Sequence, residues 1–313
     1  MTPGPPASRA GVFWLGARPR TLGASIVPVV VGSIPMFSVP RFLLCLAVGA
    51  GLQVGVNYAN DYFDGVRGVD TAERLGPPRL VASGWASARS VAVAAGVAFA
   101  VAAAAGLALA MLTTLWLLAI GAAALLAAVL YSGGPKPYAG LGLGELSVFV
   151  FFGLVATVGS AYVQYEALLV DGGGLPDAFG LFDVPLGFWL TGGAVGVLAV
   201  AILVVNNARD IETDARTGKR TLAVRMGPER TRTLFVLLLI AAPLVVAAGI
   251  IAGALPTLAL LALLAFPLRI RTYGMWPRRG PVDWRRVLMG TALFHVVFGV
   301  LLALGLAIEA VRT

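Results

Sequence analysis

The 313-residue sequence contains one cysteine and one histidine, and only 12% of it is charged. Each scarcity excludes something. The lone cysteine, Cys45, sits inside an apolar run, so there is no disulfide framework and no cysteine-based metal site; it reads as a small buried hydrophobe. The lone histidine, His295, lies in the last apolar run, which excludes a histidine metal cluster and leaves a packed, hydrogen-bonded residue. A soluble domain of this length would carry roughly twice the charged fraction. No polar stretch is long enough for a second, soluble domain.

What the chain has instead is apolar length: 59% of residues are hydrophobic and the mean hydropathy is +0.90. A membrane-spanning helix needs about 20 mostly apolar residues. On that ruler nine stretches qualify: roughly 21–39, 41–63, 88–109, 112–131, 143–165, 185–208, 231–253, 255–273 and 287–308. The breaks at Met111–Thr114 and Pro256 divide runs otherwise too long for one helix. The expected fold is an all-α polytopic membrane protein, with nine transmembrane helices in one bundle. Residues 1–20, rich in Pro and Gly and carrying Arg9, Arg18 and Arg20, read as a cytoplasmic N-terminal segment. Residues 21–313 read as a single transmembrane domain. The first span is expected to be retained, since no small-residue cleavage site follows it and Pro28 and Pro35 interrupt it.

The net charge of +8 and pI near 10.2 invite a nucleic-acid reading, but the placement of the bases gives another. With the N-terminus inside and nine spans alternating, 21 of the 23 Lys and Arg residues fall on the inner side, leaving only Arg41 and Arg312 outside. That asymmetry is the positive-inside rule. It predicts an N-in, C-out protein of the cell membrane with no nucleic-acid partner. Trp276 and Trp284 flank the Arg-rich loop before the last span, where interfacial aromatics belong.

Two polar clusters end apolar runs on that inner side. The first is Asn57-Tyr-Ala-Asn60-Asp61-Tyr-Phe-Asp64-Gly-Val-Arg67-Gly-Val-Asp70, and the second is Asn206-Asn207-Ala-Arg209-Asp210-Ile-Glu-Thr-Asp214. In a helix, Asn57, Asn60/Asp61 and Asp64 share a face, as do Asn206/Asn207, Asp210 and Asp214. Each leads into a basic segment, Arg74-Leu-Gly-Pro-Pro-Arg79-Leu after the first and Gly218-Lys219-Arg220-Thr-Leu after the second. Charged groups at this depth mark a functional site by default. The matched ends of the second and sixth spans suggest an internal pseudo-repeat with a shared cavity facing the cytoplasm. Facing carboxylates suit Mg²⁺, which favours a few carboxylates plus substrate phosphates, and the flanking bases suit phosphate oxygens. A diphosphate satisfies both.

These residues resemble the UbiA superfamily of intramembrane prenyltransferases, whose paired motifs here read Asn60-Asp61-Tyr-Phe-Asp64 and Asp210-Ile-Glu-Thr-Asp214. The finer resemblance is to its 1,4-dihydroxy-2-naphthoate polyprenyltransferase branch. It is carried by Ala17-Arg-Pro-Arg-Thr21, Arg74-Leu-Gly-Pro-Pro-Arg-Leu-Val-Ala-Ser-Gly84, Tyr131-Ser-Gly-Gly-Pro-Lys-Pro-Tyr138, Gly142-Leu-Gly-Glu145 and Gly218-Lys-Arg-Thr-Leu-Ala-Val-Arg-Met-Gly227. The resemblance implies Mg²⁺-assisted ionisation of a polyprenyl diphosphate, attack by 1,4-dihydroxy-2-naphthoate and decarboxylation to demethylmenaquinone. It implies Mg²⁺ held by Asn60, Asp64, Asp210 and Asp214, with Asp61 as a further ligand and Asn57 close by. Lys136 and Arg18 are implied to bind substrate, together with Asn207. Arg67 and Arg79 stay open between phosphate contact, loop ordering and topology, and Glu145 between orienting the acceptor and capping a helix start. Tyr131, Tyr138, Phe149, Phe151 and Phe152 are candidates to line the cation path. Asp70, two residues further on than the superfamily spacing, has no assigned role.

Three other readings compete. One is a prenyltransferase for another aromatic acceptor, such as 4-hydroxybenzoate or homogentisate. Another is a secondary transporter for a cation or anion, which would place polar groups towards both sides of the membrane. An alcohol phosphotransferase also uses paired Asp motifs, but its Asp-Gly-x-x-Ala-Arg pattern is absent.

Overall fold

Apolar runs with no water to satisfy their backbone must bond internally, and helices do so within one segment. The computed structural model describes residues 4, 6–34, 36–68, 76, 78–171 and 180–312, and every regular element among them is helical. Asp70, Arg74 and Pro35 lie outside the described residues. The helices are α1 (Arg9–Ala17), α2 (Gly23–Ser33), α3 (Val39–Val66), α4 (Ala88–Leu112) and α5 (Leu117–Ser132). They continue as α6 (Gly144–Leu169), α7 (Leu186–Arg209), α8 (Ile211–Arg216), α9 (Leu222–Ile251), α10 (Thr257–Gly274) and α11 (Trp284–Arg312).

Seven of these, α3, α4, α6, α7, α9, α10 and α11, are long and apolar enough to cross a membrane. The other two expected spans are shorter. α5 has 16 residues and α2 only 11, which at 1.5 Å per residue makes α2 about 16 Å long. Ile34, extended at φ −102° and ψ 140°, ends α2 well before residue 39. The break between α4 and α5 falls where expected, at Thr113, which leaves helical geometry with φ −128° and ψ −90°. α9 starts nine residues before the expected 231; a kink at Gly227 (φ 76°), just ahead of Pro228, joins a short amphipathic turn to the apolar run.

The segment before Thr21 is not featureless. Ser8 accepts from the Gly11 backbone N–H (3.1 Å) and caps α1. α1 lies against α3, where the Tyr58 hydroxyl donates to the Phe13 carbonyl (2.7 Å). It ends at Arg18, the one described non-glycine residue with positive φ (56°).

α7 is the central helix, and Val195, Leu198, Ala201 and Val204 on it are almost fully buried. Its neighbours approach closely because glycines remove the side chain in between. A Cβ on Gly153 of α6 would lie 2.8 Å from Gly196 Cα of α7, one on Gly32 of α2 would lie 2.1 Å from the Thr157 carbonyl of α6, and one on Gly305 of α11 would lie 2.1 Å from the Leu258 carbonyl of α10. Next to the first of these contacts, residues Phe149–Val155 of α6 wind as a π-helix. Trp276 is buried at 5% exposure and packs its ring on Phe235 and Trp284. Arg41 also supports the fold, since its guanidinium donates to the Leu112 carbonyl (2.6 Å) at the C-terminal end of α4, where a cation is favoured.

Candidate active site

A cavity of about 910 Å³ gathers residues from the ends of α3, α5, α6, α7, α8 and α11. The first cluster contributes Asn57, Asn60 and Asp64, and the second Asn206, Asn207, Asp210 and Asp214. Arg18, Arg67, Arg79, Lys136, Arg209 and Lys219 bring positive charge. The deeper walls are apolar, among them Leu52, Val56, Phe151, Phe152 and Leu203. The two sequence clusters, about 150 residues apart, therefore meet in one space.

Their side chains divide into those aimed at the cavity and those that build it. Asp64 is 4% exposed and its Oδ2 meets Lys219 Nζ at 2.7 Å and Arg79 Nη2 at 3.8 Å. Asp210 is held by both nitrogens of the neighbouring Arg209 fork (2.8 and 2.7 Å). Asn60 accepts from the Ser132 hydroxyl at the end of α5, and Asp214 lies in the half-buried first turns of α8. Lys136 is exposed on the turn between α5 and α6 at the cavity edge.

Asp61 departs from expectation as a metal ligand. It is not among the residues lining the cavity; its two oxygens accept the backbone N–H groups of Leu80 (2.8 Å) and Val81 (3.0 Å), and it is 2% exposed. Although three-residue spacing puts it on the same broad face as Asp64, it turns to the Leu80 and Val81 N–H groups. Asn57 lines the cavity but spends its amide on the Ala17 carbonyl (2.9 Å), which fixes the turn that presents Arg18. Arg67 donates to the carbonyls of Ser132 (2.8 Å) and Gly134 (2.5 Å), with its guanidinium 5.4 Å from the Phe63 ring centre. It orders the turn that carries Lys136. Glu145 also reaches the cavity only indirectly. It opens α6, where a carboxylate is favoured, is 8% exposed, and accepts from the Asn207 amide (2.8 Å).

Tyr131 and Tyr138 both line the cavity, edge to face at 5.5 Å. The Tyr138 hydroxyl donates to the Ala127 carbonyl (2.9 Å) and lies 2.9 Å from Ser147 Oγ; burial raises its pKa, and the Ser147 hydrogen bond partly offsets that. Phe151 and Phe152 line the cavity, whereas Phe149 packs against Gly196 of α7. Reasoning from sequence misses Ser132 and Arg209, and gives Trp284 and Arg285, which also line the cavity, only interfacial and topological roles. Ser132 sits inside the Tyr131–Tyr138 motif, so its signal is present in the sequence.

The donor set fits Mg²⁺. All candidate ligands are oxygens of Asp or Asn, which suit a hard cation. Among the described residues no three His, Cys, Asp or Glu side chains form a ready-made cage.

Residues 21–308 match the UbiA prenyltransferase family. The chain is 44% identical over 305 residues to 1,4-dihydroxy-2-naphthoate octaprenyltransferase of Mycobacterium tuberculosis, covering 93% of this chain and 95% of that one. It is 34% identical to the enzyme of the same name from Haemophilus influenzae, over 95% and 96% of the two chains. In structure it is similar to a UbiA homologue from Aeropyrum pernix (TM-score 0.67, 20% identity, 95% and 98% covered). It is also similar to one from Archaeoglobus fulgidus bound to GPP and Mg²⁺ (TM-score 0.60, 17% identity, 94% and 99% covered). The family match and the relatives agree: the chain belongs to the UbiA prenyltransferase family.

Proposed function

We propose that this protein transfers a polyprenyl group from its diphosphate to 1,4-dihydroxy-2-naphthoate, with loss of the carboxylate, in menaquinone biosynthesis. The observation that supports the reaction class is the meeting of two Asn/Asp clusters and a ring of bases at one end of an otherwise apolar cavity. The acceptor follows from the relatives, 34% to 44% identical over nearly whole chains. In our reading nine helices span the cell membrane, N-in and C-out, and the cavity opens to the cytoplasm.

Asn60, Asp64, Asp210 and Asp214 would hold Mg²⁺, which neutralises diphosphate oxygens and so makes a better leaving group. Lys136 and Arg18 bind the diphosphate as charge moves onto it when the C–O bond breaks. Arg67 and Asn57 act one step back, by fixing the turns that present Lys136 and Arg18. Arg79 shares Asp64 with Lys219. The allylic cation left behind faces Phe151, Phe152 and Tyr131, whose rings exclude water and stabilise positive charge. In our reading Asn207, whose amide donates to Glu145, orients the acceptor hydroxyls. The ring carbon takes the prenyl group, and the carboxylate leaves as CO₂.

The test supplies purified protein in lipid vesicles with a polyprenyl diphosphate, Mg²⁺ and carboxyl-labelled dihydroxynaphthoate. Release of labelled CO₂ together with a prenylated naphthoquinol is the expected result. A folded protein that prenylates 4-hydroxybenzoate but not the naphthoate would refute the acceptor and keep the reaction class.

A further inference from the structure

Lys219 belongs to the loop after the second cluster, yet its ammonium sits on the principal acid of the first. Its Nζ lies 2.7 Å from Asp64 Oδ2, an oxygen that Arg79 Nη2 approaches only to 3.8 Å. The Asp64 side chain is 5% exposed, while that of Lys219 is 28% exposed and borders the cavity. The backbone beneath Lys219 is pinned on both sides. Its N–H donates to the Asp214 carbonyl, and the next N–H, of Arg220, to the Gly140 carbonyl, both at 2.9 Å. Any movement of the charge is therefore confined to the side chain, a flexible four-carbon stem with a point charge at its tip. The second cluster is guarded differently, because Asp210 is gripped by both nitrogens of a planar fork.

The Lys219 ammonium already sits 2.7 Å from Asp64 Oδ2, so a divalent cation brought to the same oxygen meets a like charge at close range, and the two compete for it. We propose that Lys219 is a placeholder for the metal: it neutralises buried Asp64 until Mg²⁺ and diphosphate arrive, then swings onto a diphosphate oxygen and frees Asp64 as a ligand. The inference rests on the prenyl-transfer reading of this cavity and adds a residue and an order of events to it. Each ligand helps the other: the diphosphate draws the lysine away, and its departure opens the metal position. Metal without diphosphate has to compete with the lysine.

The test titrates the full-length protein in detergent with Mn²⁺, following free Mn²⁺ by electron paramagnetic resonance, with and without inorganic pyrophosphate. In Lys219→Met, Mn²⁺ alone should bind about tenfold more tightly than in wild type, a coupling of ordinary size. Pyrophosphate should then improve Mn²⁺ binding less than it does in wild type. Lys219→Arg, which keeps the charge, should stay near wild type. Lys219→Met with wild-type melting and unchanged or weaker Mn²⁺ binding would overturn the placeholder while leaving the metal site standing. Wild-type protein that takes no Mn²⁺ even with pyrophosphate would overturn the underlying reading as well. If Lys219→Met does not fold, Lys219→Gln separates the same two outcomes.

Discussion

Asp61 and Asp64 stand three residues apart on α3 and meet different partners. Asp61 is a structural acid: it accepts two backbone N–H groups and holds the loop at Leu80 and Val81. Asp64 faces the cavity and is balanced by bases. Replacing Asp61 with Asn turns one acceptor into a donor facing another donor, at a cost of about 2–3 kcal/mol. Asp61→Asn is expected to melt lower in detergent. Asp64→Asn and Asp210→Asn each leave a buried base without its counter-ion and should melt lower too. Turnover therefore separates the two classes: folded Asp61→Asn should keep it, and folded Asp64→Asn and Asp210→Asn should lose it. The sequence reveals both clusters because Asn and Asp are conspicuous against apolar helices. It does not show which acid points inward, since neighbours at three and four residues share a broad face and only the loop's orphan N–H groups choose between them.

At the scale of helices, close approach rather than propensity sets the arrangement. Gly32 is the clearest case, because a methyl there would meet the Thr157 carbonyl at 2.1 Å, and a backbone oxygen cannot rotate away. Gly32→Ala should push α2 from α6 and destabilise the protein by about 2 kcal/mol, read as a lower melting temperature. The positions of nearly all helices are legible from the apolar runs. α1 is hidden because Pro and Gly dominate the residues before it, although Ser8 ahead of an apolar stretch is a usable cap signal. The π-helical turn at Phe149–Val155 leaves no mark in hydropathy. It arises where Gly153 lets α6 touch the α7 backbone, and it contains the two rings, Phe151 and Phe152, that wall the cavity.

For the whole molecule, the proposed topology makes an accessible prediction. Phe182, 88% exposed, lies between α6 and α7, in the segment assigned to the outside. Arg89, exposed at the start of α4, is assigned to the inside. Cys45 is buried and should stay silent. A membrane-impermeant maleimide is expected to label Phe182→Cys in intact cells and Arg89→Cys only after permeabilisation; the reverse pattern would invert the orientation. The charge bias that suggests this topology is a property of the sequence alone. The cavity itself needs the fold, because its two acidic clusters are separated by about 150 residues and meet only when α3 and α7 end together.

Arg18 carries a further consequence. With φ at 56°, its backbone sits where a branched or long side chain is disfavoured by about 1–2 kcal/mol, while Asn tolerates that geometry. A library of variants sorted on heat resistance alone should therefore drift towards Asn at position 18. On the proposed role of Arg18, the winners would be sturdier proteins with a weakened grip on prenyl diphosphate, visible as a raised KM. Any attempt to toughen this enzyme for practical use should hold that position fixed.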